Sequence, residues 1–205
     1  MKSISTRLLV AALLMPLGAA AYEQGDTLLR VGATTVQPHD GYKPDNVRVG
    51  NDTQLGLNIV YMVADNVGLE LLLATPFEHD IKLKGVGVVG STKHLPPTLS
   101  VQYYFANSSP LTPYLGIGLN YTDFFDENLD VVGYDNIELE KSTGFALQLG
   151  ADFAINQHWG VNLDVRWVDI DTRVTDTPAG DPAGVKGIDV KVDPLVYSLT
   201  ALYKF

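Results

Sequence analysis

From residue 54 the chain reads QLGLNIVYMV, and its odd and even positions part company. Leu55, Leu57, Ile59, Tyr61 and Val63 are large and apolar, whereas Gln54, Gly56 and Asn58 are small or polar. Side chains alternate across a strand with period two, so this split predicts a strand with one apolar face. The same split recurs in seven further segments: Leu29 to Ala33, Val67 to Leu73, Leu95 to Phe105, Leu115 to Tyr121, Phe145 to Phe153, Trp159 to Trp167 and Leu195 to Phe205. Eight strands of about ten residues match the smallest closed membrane barrels in number and length. The pattern therefore predicts an all-β fold, an eight-stranded antiparallel transmembrane β-barrel.

Alternation alone does not say which face is outside, because a soluble barrel would point its apolar set inward. Volume decides: the interior of an eight-stranded barrel is filled by side chains or holds one small ligand, and roughly forty mostly large apolar residues do not fit there. The opposite parity carries Gly32, Gly56, Gly68, Gly116, Gly118, Gly144, Gly150 and Gly160, as a crowded interior needs. The apolar set thus faces lipid. The links agree, since short ones at 64–66, 106–112 and 156–158 alternate with long ones near 37–52, 78–93, 125–138 and 171–190. Short inner turns and long outer loops are the rule for such barrels. Tyr61, Tyr103, Phe105, Trp159, Tyr203 and the terminal Phe205 sit at the short-link ends, where an aromatic girdle belongs.

Composition then fixes the compartment. Residues 1–21 carry Lys2 and Arg7, an apolar run from Leu8 to Leu17, and the small-residue ending Ala19-Ala20-Ala21, the three-part pattern of a secretory signal peptide. The domain division expected is a signal peptide at 1–21 and a barrel domain at 22–205, exported and lodged in a bacterial outer membrane. Without Lys2 and Arg7, 12 basic residues face 24 acidic ones, a net charge of −12 that argues against nucleic acid as a partner. The absence of cysteine excludes disulfides, thiolate catalysis and thiolate-bound metals. His39, His79, His94 and His158 show no metal-ligand spacing, and parity puts only His94 on an inward strand position. The loop carboxylates Asp123, Asp126, Glu127 and Asp130 read as a solvated acidic surface, with cation binding the rarer meaning. No catalytic residue, metal or cofactor is expected.

The segments NDTQLGLNIVYMVADNVGLELLLATPF, LPPTLSVQYYF, PYLGIGLNYTDFF, VRWVDIDT and VDPLVYSLTALYKF, in this order and spacing, resemble the OmpW family of small outer-membrane barrels. The resemblance covers nearly the whole chain after residue 21. It implies a narrow lumen that admits small hydrophobic molecules from outside and releases them sideways into the membrane, with membrane lipid and such solutes as partners. No oligomeric state follows from it. Family members can carry an aromatic residue on the inward parity of the seventh strand, where this chain has Arg166, so an aromatic gate does not carry over.

The inward parity supplies the candidate site. Near the short-link ends it carries a polar floor of Arg30, Glu70, Asp152, Asp164 and Arg166, with Asn58, Gln102, Gln148 and Asn162 close by. Opposite charges in a narrow lumen should pair, which makes a plug; a charge-selective conduit is the alternative. Higher up, Leu72, Ala74, Pro76, Pro96 and Thr98 form a less polar chamber and constriction. Pro76, Pro96 and Pro97 cannot donate to a ladder, so on adjacent strands they either end the pairing near the rim or leave a lateral gap; the resemblance favours the gap. The function expected is a porin-like channel for passive uptake of small hydrophobic molecules. The rivals are a structural or surface-recognition barrel without transport, and a narrow pore for small polar solutes.

Overall fold

A computed structural model describes residues 21–39, 47–83, 85, 87–129, 138–176, 187 and 189–205. Eight long strands close on themselves: β1 (Thr27–Gln37), β3 (Asp52–Ala64), β4 (Val67–Ala74), β7 (Thr98–Tyr104), β8 (Leu111–Leu129), β10 (Ser142–Ala154), β11 (Trp159–Val168) and β14 (Leu195–Lys204). Every neighbouring pair is antiparallel, and the ladder from Leu28↔Lys204 to Gln37↔Leu195 joins the first strand to the last. Closure of the first strand on the last leaves the described barrel without a free edge strand, where exposed backbone amides in lipid would each cost several kcal/mol.

The burial of the strands is inside out relative to a soluble protein. Ile117 is 58 % exposed and Leu163 61 %, while Arg30 and Glu70 are 0 % exposed. That polarity fits a solvent of hydrocarbon outside and hydrogen-bonding partners inside. At the short-turn end the aromatics gather: Tyr103 meets Phe105 edge-on at 5.3 Å, and Tyr203 meets both Trp159 and Phe205 at 4.8 Å. Asn66 makes the β3–β4 turn tight by taking φ +62°, a left-handed conformation that asparagine tolerates better than most residues.

The long links differ from the sequence-based expectation of loops. Residues 78–93 fall largely in a hairpin of β5 (Phe77–Leu83) and β6 (Gly87–Leu95), which carries the barrel wall outward. Strand β2 (Val47–Val49) pairs with β5, and the outer half of β8 pairs with β6. The short strands β9 (Glu138–Leu139), β12 (Asp171–Asp176) and β13 (Asp189–Lys191) form a second extension. On β5 the outward positions carry exposed charged residues, Glu78 and Asp80, while Phe77 and His79 are buried, so the outward row of large apolar residues that reveals a membrane strand is absent there. The expected signal peptide lies outside the described residues, apart from Ala21.

Candidate functional site

The floor residues expected from parity meet in one network. Arg30 on β1 donates from Nη1 to Glu70 Oε2 at 3.2 Å and from Nη2 to Asp152 Oδ2 at 2.7 Å. Arg166 on β11 bonds Glu70 Oε1 through Nη2, and the same nitrogen lies 3.8 Å from Asp164 Oδ1. Glu70 also accepts from Gln102 Nε2 at 2.7 Å and Asn58 Nδ2 at 3.1 Å, and Gln148 Nε2 serves Asp164 Oδ2 at 2.7 Å. Asn162 Nδ2 donates to Asp152 Oδ1 at 2.8 Å. One carboxylate therefore sits between two guanidinium groups, with amides filling the remaining lone pairs. A buried charge is tolerated only in such a setting.

Three tyrosines complete the plug, and the sequence reading missed all of them. Tyr104 Oη accepts from Arg30 Nη2 at 2.9 Å. Tyr114 Oη donates to Asp164 Oδ2 at 2.9 Å, and its ring lies 4.9 Å from the Arg30 guanidinium carbon. Tyr22 closes the bottom, with its hydroxyl on Asp152 Oδ2 at 2.9 Å and its ring edge-on to Tyr104 at 4.9 Å. Parity carried the signal for two of them, since 104 and 114 are even positions on inward rows. Gly150, opposite Tyr114 in the β8–β10 ladder, makes the room, because a Cβ there would collide with the Tyr114 ring.

Above the plug lies an apolar chamber. Thr34 and Val36 of β1, Leu72 and Ala74 of β4, Pro96, Thr98 of β7, Val168 of β11 and Val196 of β14 line it, Val196 beside its ladder partner Val36. Phe77 and His94 close the outer part of the wall, with their rings stacked at 5.6 Å. The space open to a water-sized body is about 10 Å³, roughly one water molecule. Of the chamber residues expected from the sequence, Leu72, Ala74, Pro96 and Thr98 line it and Pro76 does not. Pro76 is exposed, because the inward parity slips by one position between Ala74 and Phe77. The same slip turns His79 inward as well as His94, correcting the expectation that only His94 points in. The two imidazoles stack at 4.9 Å.

At chamber level the wall is interrupted. The β4–β7 ladder ends at Leu72↔Thr98 and pairing resumes between β5 and β6 at Phe77↔His94, so residues 73–76 stand across from 95–97 with no ladder pair between them. Thr75 N turns away to Leu55 O of β3 at 3.0 Å. The proline segment is held from its other side: Pro97 O accepts from Tyr121 N at 3.0 Å, and Asn120 Nδ2 reaches Pro96 O at 3.1 Å and Pro97 O at 3.2 Å. Pro96 lacks the N–H that would face β4, whereas Pro97, whose carbonyl bonds β8, lacks the one that would face β8. Of the acidic loop residues, Asp123 pairs with Lys141 and Asp126 with Lys93, each at 3.2 Å, and Asp130 lies outside the described residues.

Comparison with known proteins places this geometry. A model of the OmpW family matches residues 23–205. Outer membrane protein W of Escherichia coli K12 is 39 % identical over 215 residues, covering all of both chains. The crystal structure of OprG from Pseudomonas aeruginosa superposes with a TM-score of 0.75 at 39 % identity, over 90 % of this chain and 97 % of that one. Outer membrane protein AlkL of Ectopseudomonas oleovorans is 28 % identical over 93 % of this chain and 86 % of its own. With a family match along nearly its whole length, this chain belongs to the OmpW family of outer-membrane β-barrel proteins.

Proposed function

We propose that this barrel is a passive channel for small hydrophobic molecules, which enter from outside, occupy the chamber above the plug and leave sideways through the interrupted wall into the outer membrane. The observation that carries this reading is that Ala74 and Pro96 belong at once to the chamber lining and to the edges of the unpaired stretch. An apolar chamber closed below by paired charges, and bordered on one flank by a stretch of wall without ladder pairs between 73–76 and 95–97, offers its contents one downhill path. Apolar solutes lose nothing by passing from such a chamber into hydrocarbon, whereas polar solutes would shed water without gaining a partner. In its narrow state the chamber admits little, so uptake requires side chains such as Leu72 to swing aside.

The reading takes Tyr22 as the first residue of the exported chain, which N-terminal sequencing checks. It requires no cofactor, metal or catalytic group. The test compares cells lacking the protein with the same cells complemented by it, for apolar and polar solutes of matched size. The expected result is faster uptake of the apolar members alone. Equal acceleration of polar solutes would favour an aqueous pore, and no acceleration of either would favour a structural or recognition role.

A further inference from the structure

Arg166 is the uppermost charged residue of the plug and is only partly used. It is 1 % exposed, its Nη2 is bound to Glu70, and its Nε and Nη1 are buried with no hydrogen-bond partner. Buried guanidinium donors left idle are costly, so each calls for an acceptor, and the idle oxygen of Gln148, in ladder register with Arg166, makes no bond to them. The position of Arg166 says where such an acceptor would come from. It lies on the same inward row as Val168, one step nearer the plug, and stands in cross-strand register with Val196; both valines line the chamber. Arg166 does not itself line the chamber, but it lies directly beneath two residues that do.

We propose that Arg166 Nε and Nη1 receive the oxygen of a small neutral oxygenated hydrocarbon, such as a ketone, ester or alcohol, whose apolar tail occupies the chamber once side chains such as Leu72 have swung aside. This rests on the channel reading above and names the solute class for it. Charge selects among acceptors. The plug already sets three carboxylates, Glu70, Asp152 and Asp164, against two guanidiniums, Arg30 and Arg166, a formal excess of one negative charge. A carboxylate head group would add a second uncompensated charge in a low-dielectric lumen, whereas a carbonyl or hydroxyl oxygen accepts the same two N–H groups without it. The arrangement gives the chamber a polar reading head beneath apolar walls, the usual composition of a selective small-molecule site.

The test uses the whole barrel in lipid nanodiscs with octane, 2-octanone and octanoate as probes. In the wild-type protein, 2-octanone is expected to shift the Arg166 Nε–Hε resonance in ¹⁵N spectra, and octane is not. In Arg166→Lys, which keeps a cation for Glu70 but has no Nε–H or Nη1–H, the affinity for 2-octanone should fall about tenfold while that for octane is unchanged. Should that variant fail to fold, the wild-type spectrum decides alone. Octane binding together with an Arg166 resonance indifferent to 2-octanone would overturn the assignment, leaving those nitrogens to buried water. A larger shift with octanoate than with 2-octanone would overturn the choice of a neutral solute. Failure of all three probes to bind would overturn the channel reading itself, and this assignment with it.

Discussion

Replacing Arg30 by alanine is expected to lower the stability of the barrel by about 3–5 kcal/mol, the usual cost of breaking a buried ion pair from one side. Arg30 bridges Glu70 and Asp152 and also donates to Tyr104, so its loss leaves buried Asp152 without a cation, while Glu70 retains Arg166. Arg166→Ala should cost less, about 2 kcal/mol, because Glu70 then keeps Arg30, Gln102 and Asn58. Urea titration of both variants in lipid vesicles gives the comparison. Unchanged midpoints would mean that the network is not what holds the floor. A gain in single-channel conductance at undiminished stability would point instead to a charge-lined aqueous path.

The second large effect concerns the wall. Pro97→Val together with Pro96→Ala restores two backbone donors, that of residue 96 toward 73–76 and that of residue 97 toward β8, and the first should let β4 and β7 pair further toward the rim. The expected barrel is at least as stable as the wild type and inserts normally, yet takes up an apolar solute much more slowly. Amide exchange reports whether the added bonds form. Leu72→Ala is the control, since it widens the chamber without sealing the wall and should leave the sideways route open. A proline variant with the extra bonds in place and wild-type uptake would reduce Pro96 and Pro97 to strand punctuation.

The membrane-spanning wall was legible because lipid imposes a strict period of two. A residue such as Leu163 or Ile117 has nowhere to point but outward, and the inward set follows by alternation. The same rule brought Arg30, Glu70, Asp152, Asp164 and Arg166 onto inward rows, and their number and mixed sign made pairing the expected arrangement. It failed where its physical basis fails. Between Ala74 and Phe77 the ladder is broken and parity slips, so Pro76 was assigned to a chamber it does not line, while Phe77 and His79 were overlooked. Strand β5 alternates, FEHDIKL, but its outward positions carry Glu78 and Asp80 instead of large apolar residues, so it lacked the apolar face by which the membrane strands are read. Tyr104 and Tyr114 lay on inward rows, yet each is next to an outward apolar residue, Tyr103 or Leu115, and a tyrosine reads as readily as girdle as it does as hydrogen-bonding plug. Tyr22 precedes the first strand, where no periodicity exists to place it.

The central claim is that the lumen is closed along its axis and open on one flank. It is tested most directly by measuring, on the same wild-type protein in liposomes, ion conductance across the membrane and the rate at which a small apolar solute reaches the bilayer. The account predicts apolar transfer well above that of protein-free liposomes with no steady ion current, because Arg30, Glu70 and Arg166 close the axial path while the stretch between Leu72↔Thr98 and Phe77↔His94 leaves the flank unpaired. A steady current accompanied by equal transfer of apolar and polar solutes would contradict it.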